Sequence, residues 1–347
     1  QLRKLKQKHP RLKALISLGG WTESNYFSDI ALTADSRRAF VRACINRFIR
    51  GNLPFDPDTG TGGPRTAAGV FDGIDIDWEY PARQGEGDNS VRPDDRRNVT
   101  LLFREFRRQL DALGAKTGRR YLLTAAVPAA RTAGASYELR RVGSILDWLN
   151  VMTYDFHGTW ETRTNFNSPF GHDPADPNGS HWLTVKGTID YLLSRGVPPD
   201  RLVVGVPFYG TAFLRAPSVN HGLFQVYSNA GLGSAPGWLN HANPTYRELV
   251  DVGRVVTEPT DGSPPVGQRK FTRYWNARAG EPWLWRPRMK IGDSTVSVVV
   301  TYPDPASLAQ RVRLVRRLGL RGMMCWELSE DSASGALGRA LAEVRKR

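Results

Sequence analysis

Short apolar segments alternate with amphipathic helical patterns along most of the 347-residue chain, and this alternation limits the folds open to it. Apolar strands separated by helices are typical of a parallel sheet that is covered on both faces. We therefore predict an α/β fold. The six predicted strands cover residues 12–20, 71–80, 121–128, 148–155, 202–209 and 321–327. The main predicted helices cover residues 34–50, 92–113, 182–194 and 305–318.

Polar and aromatic residues recur where these predicted strands end. They are Trp21, Glu79, Tyr154, Asp155, Tyr209, Trp326 and Glu327. The carboxyl ends of the strands in a (β/α) barrel form the edge on which active sites are built. Several strands are therefore predicted to contribute to one site.

The second predicted strand carries three acids in alternate positions, Asp75, Asp77 and Glu79, with Ile76 and Trp78 between them. Side chains two apart on a strand point to the same face, so the three carboxyls form one row. Like charges at that spacing raise at least one pKa, and a carboxylic acid then stays protonated near neutral pH. The row predicts general acid catalysis.

Two other interpretations of the acid row are weaker. A solvated strand face is disfavoured because Asp is depleted in strands and because residues 71–81 contain no Lys or Arg. A cation site is disfavoured because the spacing of a calcium loop, with its Gly and closing Glu, is missing. His157 and His172 show no metal or triad pattern, so we expect no metal site.

Composition excludes several classes of protein. The net charge of +14 comes from basic residues spread over helices without a recognised nucleic-acid module, so we predict no nucleic-acid partner. The sequence contains no stretch of eighteen apolar residues, so we predict no membrane span. The basic, polar start, residues 1–11, does not resemble a signal peptide. Two cysteines, Cys44 and Cys325, are too few for a disulfide framework and are predicted to be buried free thiols.

The alternation stops between residues 211 and 297, where Gly, Pro and Asn are frequent and aromatic residues cluster. We predict a compact α+β insertion after a barrel strand, on the face that carries the site. The predicted domains are residues 1–210 for the first part of the barrel, 211–297 for the insertion and 298–347 for the last part of the barrel.

Four motifs give the chain its resemblance to the family-18 glycoside hydrolases, the chitinase family. They are Ser17-Leu18-Gly19-Gly20-Trp21, Asp72-Gly73-Ile74-Asp75-Ile76-Asp77-Trp78-Glu79, Met152-Thr153-Tyr154-Asp155 and Met324-Cys325-Trp326-Glu327. The segment 211–297 resembles the α+β module of the subfamily with deep clefts. The resemblance implies a (β/α)8 TIM barrel, a secreted enzyme acting on chitin or chitooligosaccharides, and no cofactor. We expect a monomer.

The resemblance also implies a role for each site residue. Glu79 protonates the glycosidic oxygen, and the acetamide of the sugar acts as nucleophile. Asp77 orients that acetamide, and Asp75 shares a proton with Asp77 or holds Asp77 in place. Tyr154 and Asp155 contact the acetamide and the distorted sugar. The implied substrate-binding residues are Trp21, Tyr80, Met152, Tyr209 and Trp326.

Two departures from the family pattern are visible. Thr211 stands where the family commonly has a substrate-contacting arginine, a contact that is lost or moved to Arg215. Six barrel strands are visible rather than eight, so we expect an N-terminally incomplete barrel, either a fragment or an open sheet with an unpaired edge. Two alternatives to a chitinase stay open: a chitin-binding lectin on an inactive barrel, and an endo-β-N-acetylglucosaminidase.

Overall fold

The computed structural model describes residues 1–259 and 263–345. Its α-helices are α1 (Leu2–Lys8), α2 (Phe27–Leu32), α3 (Ala34–Cys44), α4 (Asp95–Thr117), α5 (Ala130–Ser136), α6 (Leu139–Ile145), α7 (Val185–Ser194), α8 (Pro305–Leu318) and α9 (Ala336–Ala342). Its strands are β1 (Leu15–Gly19), β2 (Leu53–Asp56), β3 (Thr61–Gly63), β4 (Gly73–Asp77), β5 (Leu122–Pro128), β6 (Trp148–Met152), β7 (Leu202–Pro207), β8 (Thr211–Leu214), β9 (Val256–Thr257), β10 (Val266–Gly267), β11 (Thr272–Asn276), β12 (Glu281–Ile291), β13 (Ser294–Thr301) and β14 (Gly322–Trp326).

All six predicted strands are present, and they form one sheet in the order β1-β4-β5-β6-β7-β14. The pairs β1–β4, β4–β5 and β7–β14 are parallel. The predicted α/β class is confirmed as a TIM-barrel-like fold in which six parallel strands are visible, together with an antiparallel insertion. None of the described helices is long and apolar enough to cross a membrane.

The chain divides into two compact units. The first unit contains Gln1–Pro128, Thr132–Asn150 and Leu192–Leu202. The second unit contains Ala129–Arg131, Val151–Tyr191 and Val203–Arg347, of which 260–262 and 346–347 lie outside the described residues. The predicted boundaries at residues 210 and 297 remain a prediction.

In the first unit, helix α4 packs its apolar stripe into the core. Val99, Leu102, Phe103, Phe106 and Leu110 recur at helical spacing and are completely buried. The helix ends at Gly118, whose φ of 67° is the left-handed conformation that favours glycine. This stripe explains why the periodicity of residues 92–113 predicted the helix.

Two segments of the first unit differ from the prediction. The predicted helix 34–50 is α-helical only to Cys44, and Ile45–Ile49 forms a π-helical turn. The stretch 51–68, predicted to be a loop, contains the antiparallel pair β2–β3. Such a hairpin is too short to produce a readable alternation of polar and apolar residues.

In the second unit, an antiparallel sheet of four strands has the order β11-β12-β13-β8. Its inner face contributes to an apolar core that includes Leu214, Leu284, Val298 and Val300. Helix α8 begins with a capping box between Asp304 and Ser307. The antiparallel sheet is the structure behind the interrupted alternation at 211–297.

A buried ion pair fixes helix α8 in the second unit. The Arg311 guanidinium contacts the Glu281 carboxylate and the backbone oxygen of Ser168, and Arg311 is completely buried. Breaking one partner of such a pair leaves an uncompensated buried charge. Arg311 is therefore a core residue of this unit.

Candidate active site

The acid row lies at the end of β4 in the first unit. Asp75, Asp77 and Glu79 are each no more than 9% exposed. The intervening Trp78 is 1% exposed and stacks on Phe27 of α2, with ring centroids 5.4 Å apart. The period-two pattern therefore separates an apolar packing face from a row of buried carboxyls, as the sequence predicted.

Strand β4 ends at Asp77, two residues before Glu79. Beyond this point the side chain of Ser24 supplies the hydrogen bond to the Glu79 backbone. The Glu79 backbone N–H donates to Ser24 Oγ at 3.0 Å, and Ser24 Oγ donates to the Gly20 carbonyl at 2.8 Å. The Glu79 carbonyl accepts from Asn89 Nδ2 at 2.8 Å. Hydrogen bonds to these side chains replace those of the sheet and hold the Glu79 backbone beyond the end of β4.

Glycine is required where β1 meets the acid row. Gly19 has a φ of 110°, and a Cβ there would lie 2.1 Å from the Asp77 carbonyl oxygen. The next residue, Gly20, donates its N–H to that same carbonyl at 2.7 Å. The close approach explains the Gly-Gly pair before Trp21 in physical terms.

Asp75 is surrounded by donors from the neighbouring strands. Ser17 and Thr124 are its register partners on β1 and β5. Both hydroxyls donate to its carboxylate, Ser17 at 2.8 Å, and Asn150 Nδ2 of β6 donates at 3.1 Å. Burial raises the pKa of Asp75, and the three hydrogen bonds oppose that rise.

Asp77 is in the opposite situation. Its Oδ1 is buried and has no hydrogen-bond partner among the described residues. Burial, followed by the charges of Glu79 and Asp75, raises the pKa of Asp77 to about 8. The carboxyl therefore carries a proton at neutral pH, which is the behaviour that the sequence predicted for one member of the row.

Two tyrosines border the row. Burial and the neighbouring Glu79, which is also its hydrogen-bond partner, raise the pKa of Tyr80. Burial and the charges of Asp77, Glu79 and Asp75 raise the pKa of Tyr137, whose hydroxyl donates to the Trp78 carbonyl at 3.4 Å. Tyr80 was predicted as a site residue, and Tyr137 was missed.

A second polar cluster lies in the second unit and contains Tyr154, Asp155 and Tyr209. The Tyr209 hydroxyl contacts both carboxylate oxygens of Asp155, at 2.8 and 2.9 Å, and Asn167 Nδ2 donates to Asp155 Oδ1 at 2.9 Å. Tyr154 packs edge-on against Tyr209 with ring centroids 6.5 Å apart. A Cβ at Gly205 would lie 2.8 Å from the Tyr154 ring, so this glycine makes room for the tyrosine.

Asp155 is accessible to solvent as a residue, but loss of water around its carboxyl group is the largest influence on its pKa and raises it. The hydrogen bonds from Tyr209 and Asn167 act in the opposite direction. Its φ of 53° is the left-handed region that Asp tolerates better than most residues. The backbone thus turns sharply at Asp155 and directs its carboxyl to Tyr209.

The remaining predicted residues lie at strand ends. Trp21 follows β1 and is 50% exposed, and Trp326 ends β14 and is 53% exposed. Neither tryptophan is a core residue. Met152 ends β6 and is half-buried.

The departure at Thr211 has a structural counterpart. Thr211 begins β8 opposite Thr301 of β13 and is completely buried. Arg215 is exposed, and its Nε donates to the Ala230 carbonyl at 3.2 Å. Thr211 is therefore part of the antiparallel sheet.

The residues that support the predicted site were not predicted from the sequence. They include Ser17, Ser24, Asn89, Thr124, Asn150 and Asn167. Polar residues inside otherwise apolar strands, such as Ser17, Thr124 and Asn150, are the signal that could have found some of them. His157, which shows no metal or triad pattern in the sequence, is buried, and its Nδ1 lies 3.0 Å from Glu161 Oε1. Cys44 is buried as predicted, whereas Cys325 is only partly buried. In residues 1–259 and 263–345, no three His, Cys, Asp or Glu side chains group as metal ligands.

Comparison with known proteins places this geometry in a family. The model of glycosyl hydrolases family 18 matches residues 1–331. Chitinase A1 of Niallia circulans is 35% identical over 336 residues, which are 95% of this chain and 42% of that protein. Probable chitinase 2 of Drosophila melanogaster is 31% identical over 95% of this chain and 58% of its own length. The chain spans about half the length of these curated relatives.

Solved structures give the same result. The catalytic domain of a psychrophilic chitinase B from Arthrobacter TAD20 is similar to 99% of this chain, over 72% of its own chain, with a TM-score of 0.82 and 34% identity. A family 18 N-acetylglucosaminidase from Paenibacillus barengoltzii is similar with a TM-score of 0.75 and 28% identity, over 99% of this chain and 85% of its own. The family match, the six-stranded sheet and the buried acid row agree, and the chain belongs to glycosyl hydrolases family 18.

Proposed function

We propose that this chain is a chitinase that hydrolyses β-1,4 bonds between N-acetylglucosamine units with retention of configuration. The observation that carries the proposal is the row of three buried carboxyls in which Asp77 has a pKa of about 8. A row that holds a proton at neutral pH suits a reaction that begins with proton donation to a leaving group. The chitinase names of several relatives support the same substrate.

In the first proposed step, Glu79 donates the proton that it shares with Asp77 to the glycosidic oxygen. The carbonyl oxygen of the substrate's acetamide attacks the anomeric carbon as the bond to the leaving sugar breaks. This neighbouring amide removes the need for a second carboxylate as nucleophile. The products of the step are a free sugar alcohol, an oxazolinium intermediate and an ionised Glu79.

In the second proposed step, Glu79 acts as base. It takes a proton from a water molecule, whose oxygen attacks the anomeric carbon while the bond to the acetamide oxygen breaks. The two attacks occur on opposite faces, so the anomeric configuration is retained. Glu79 regains its proton, and no cofactor enters either step.

Asp77 is proposed to hold the acetamide in position. Its Oδ1 has no hydrogen-bond partner among the described residues, so it is available to bond to the acetamide group. Asp75, fixed by Ser17, Thr124 and Asn150, supplies the adjacent negative charge against which Asp77 retains its proton.

The other predicted residues are proposed to bind the sugar. Tyr154 and Asp155 would hydrogen-bond to the acetamide and the distorted ring, with Tyr209 orienting Asp155. The exposed faces of Trp21 and Trp326 suit the C–H surfaces of sugars. Tyr80 and Met152 complete the proposed contacts. A polymeric substrate that does not enter cells requires export of the enzyme, so the proposal includes secretion. The expected monomer stays a prediction.

A second candidate is release of single N-acetylglucosamine units, since one structural relative is an N-acetylglucosaminidase of the same family. A lectin without activity is the candidate from another class, and the endo-β-N-acetylglucosaminidase alternative acts on the core of N-glycans. The intact row of Asp75, Asp77 and Glu79 favours an enzyme over the lectin.

The test compares Glu79→Gln with the wild type on a fluorogenic chitotriose glycoside. Loss of the general acid should lower kcat by about 10²–10⁴-fold, while binding of chitooligosaccharide is kept. Asp88→Asn, which removes an exposed acid from the following loop, is the matched control and should keep full activity. Wild-type rates in Glu79→Gln would refute the proposal. Cleavage of an N-glycan core, but not of chitin oligomers, would favour the endo-β-N-acetylglucosaminidase.

A further inference from the structure

Four arginines of the first unit surround one cavity of about 350 Å³. The lining residues are Arg104, Arg107, Arg120, Ser144, Ile145, Leu146 and Arg201. We call this cavity the arginine pocket. Its lining contains no acidic residue. The four guanidiniums come from three segments: helix α4 with two arginines, the residues before β5 and the residues before β7.

The pocket lies away from the acid row. Arg120 comes two residues before β5, and Arg201 comes directly before β7. Strands β4 and β5 are parallel, and the acid row lies at the carboxyl end of β4. The arginines therefore occupy the amino-terminal edge of the strands, opposite to the edge that carries the carboxyls, so they have no place in the proposed hydrolysis.

A buried carboxylate explains how two of these cations are held so close together. Asp147 contacts Arg107 Nη1 at 3.3 Å, contacts Arg120 Nη2 and accepts from the Leu123 N–H at 2.8 Å. Arg201 Nη1 donates to the carbonyls of Leu146 and Asp147, at 3.2 and 3.1 Å. It thereby covers the carbonyl oxygens that would otherwise repel an anion at the end of α6.

Donor groups remain unused around the cavity. Arg107 Nε is buried and has no hydrogen-bond partner among the described residues. Arg104 is exposed and forms no hydrogen bond or ion pair with any described residue. Arg107 Nη1 and Nη2 are already bonded to Asp147 and Asp111, so Arg104 is the arginine of the pocket whose whole guanidinium is available to an oxyanion.

We propose that the arginine pocket binds a phosphate group, either free or as part of a phosphate polymer. Planar guanidiniums recognise phosphate oxygens in pairs, and a cavity of this volume holds more than a single water. The site would anchor the protein to an anionic phosphate-bearing ligand while the opposite strand edge stays open to sugar. This inference does not depend on the proposed hydrolase activity.

The test is calorimetric titration of the full chain with inorganic phosphate and, separately, with long-chain polyphosphate, at constant ionic strength set with sodium chloride. Arg104→Gln should weaken phosphate binding roughly tenfold, since it removes one charge-assisted donor. The matched control is Arg97→Gln, an exposed arginine on the same helix, seven residues or about 10 Å towards its start. The control should change binding less than about twofold.

Each outcome decides the proposal. Tighter binding of polyphosphate than of phosphate, weakened roughly tenfold in Arg104→Gln, supports a polymer as the source. Equal binding of the two, with the same weakening, supports a free anion. Equal weakening by both variants would show a general charge effect and overturn the proposal, as would absence of saturable binding in the wild type. Because Arg104 has no partner, Arg104→Gln should unfold at the wild-type temperature and keep wild-type hydrolysis of chitotriose glycoside.

Discussion

Asp77 in the acid row and Asp155 in the second polar cluster are the same residue type in contrasting surroundings. Loss of water raises the pKa of both. Asp155 accepts hydrogen bonds from Tyr209 and Asn167, which oppose the rise, whereas Asp77 faces two further carboxyls and has an unpartnered oxygen. Desolvation alone therefore does not decide the role of an aspartate. Asp77 holds a proton, whereas Asp155 accepts hydrogen bonds.

For the contrast between Asp77 and Asp155, the largest expected effect comes from Asp77→Asn, which removes the carboxyl that holds the proton. We expect kcat to fall on the order of 10²-fold, because the asparagine side chain cannot hold the carboxylic proton that Asp77 holds beside the sugar. Asp75→Asn is the companion variant. It removes one of the two neighbouring charges that, after burial, raise the pKa of Asp77, so that pKa should fall. Wild-type kcat in Asp77→Asn would break the contrast with Asp155.

The same variant should be more stable than the wild type at alkaline pH. The pKa of Asp77 is about 8 in the folded protein and about 4 in an unfolded chain. Between about pH 4 and about pH 8 the folded state binds more protons than the unfolded state. The free energy of unfolding therefore falls as the pH rises through this range. Asp77→Asn should remove this slope and be more stable than the wild type by up to about 5 kcal/mol at pH 8, since each unit of pKa shift corresponds to about 1.4 kcal/mol. Urea unfolding at several pH values measures the difference. An unchanged slope would contradict the assignment.

A smaller effect is expected from Tyr209→Phe in the second cluster. The variant removes a hydroxyl that contacts both oxygens of Asp155, at 2.8 and 2.9 Å. Hydrogen bonds to charged groups contribute about 1.5–3 kcal/mol, so stability should fall by that amount while the pKa of Asp155 rises further. Tyr26→Phe, at a 73% exposed ring, is the control. A stability equal to that of the control would show that Asp155 does not depend on Tyr209.

The smallest expected effect comes from Ser24→Ala, which leaves the Glu79 N–H without its partner at 3.0 Å. An unsatisfied buried donor costs about 1–3 kcal/mol. We also expect a several-fold lower kcat with little change in KM, since Glu79 loses a positioning contact. A stability loss with kcat unchanged would mean that Ser24 supports the fold but does not position the acid.

The sequence predicted the parts of the molecule that depend on local periodicity. The six strands, helices α4 and α8 and the common face of Asp75, Asp77 and Glu79 follow from spacing along the chain. Periodicity does not show which residues of other strands stand opposite Asp75. Ser17 and Thr124 reach it through register, and β8 pairs with β13 across more than 80 residues. The supporting donors were missed because they are a property of the assembled sheet.

The most direct test of this account is the titration of Asp77, followed through the carboxyl carbon signals of ¹³C-labelled protein. Asp77→Asn identifies the signal, and Asp88→Asn is a control that removes an exposed acid. The account predicts a transition of the Asp77 carboxyl near pH 8. A transition near pH 4, with no group of the row titrating at higher pH, would contradict the claim that this row stores a proton at neutral pH.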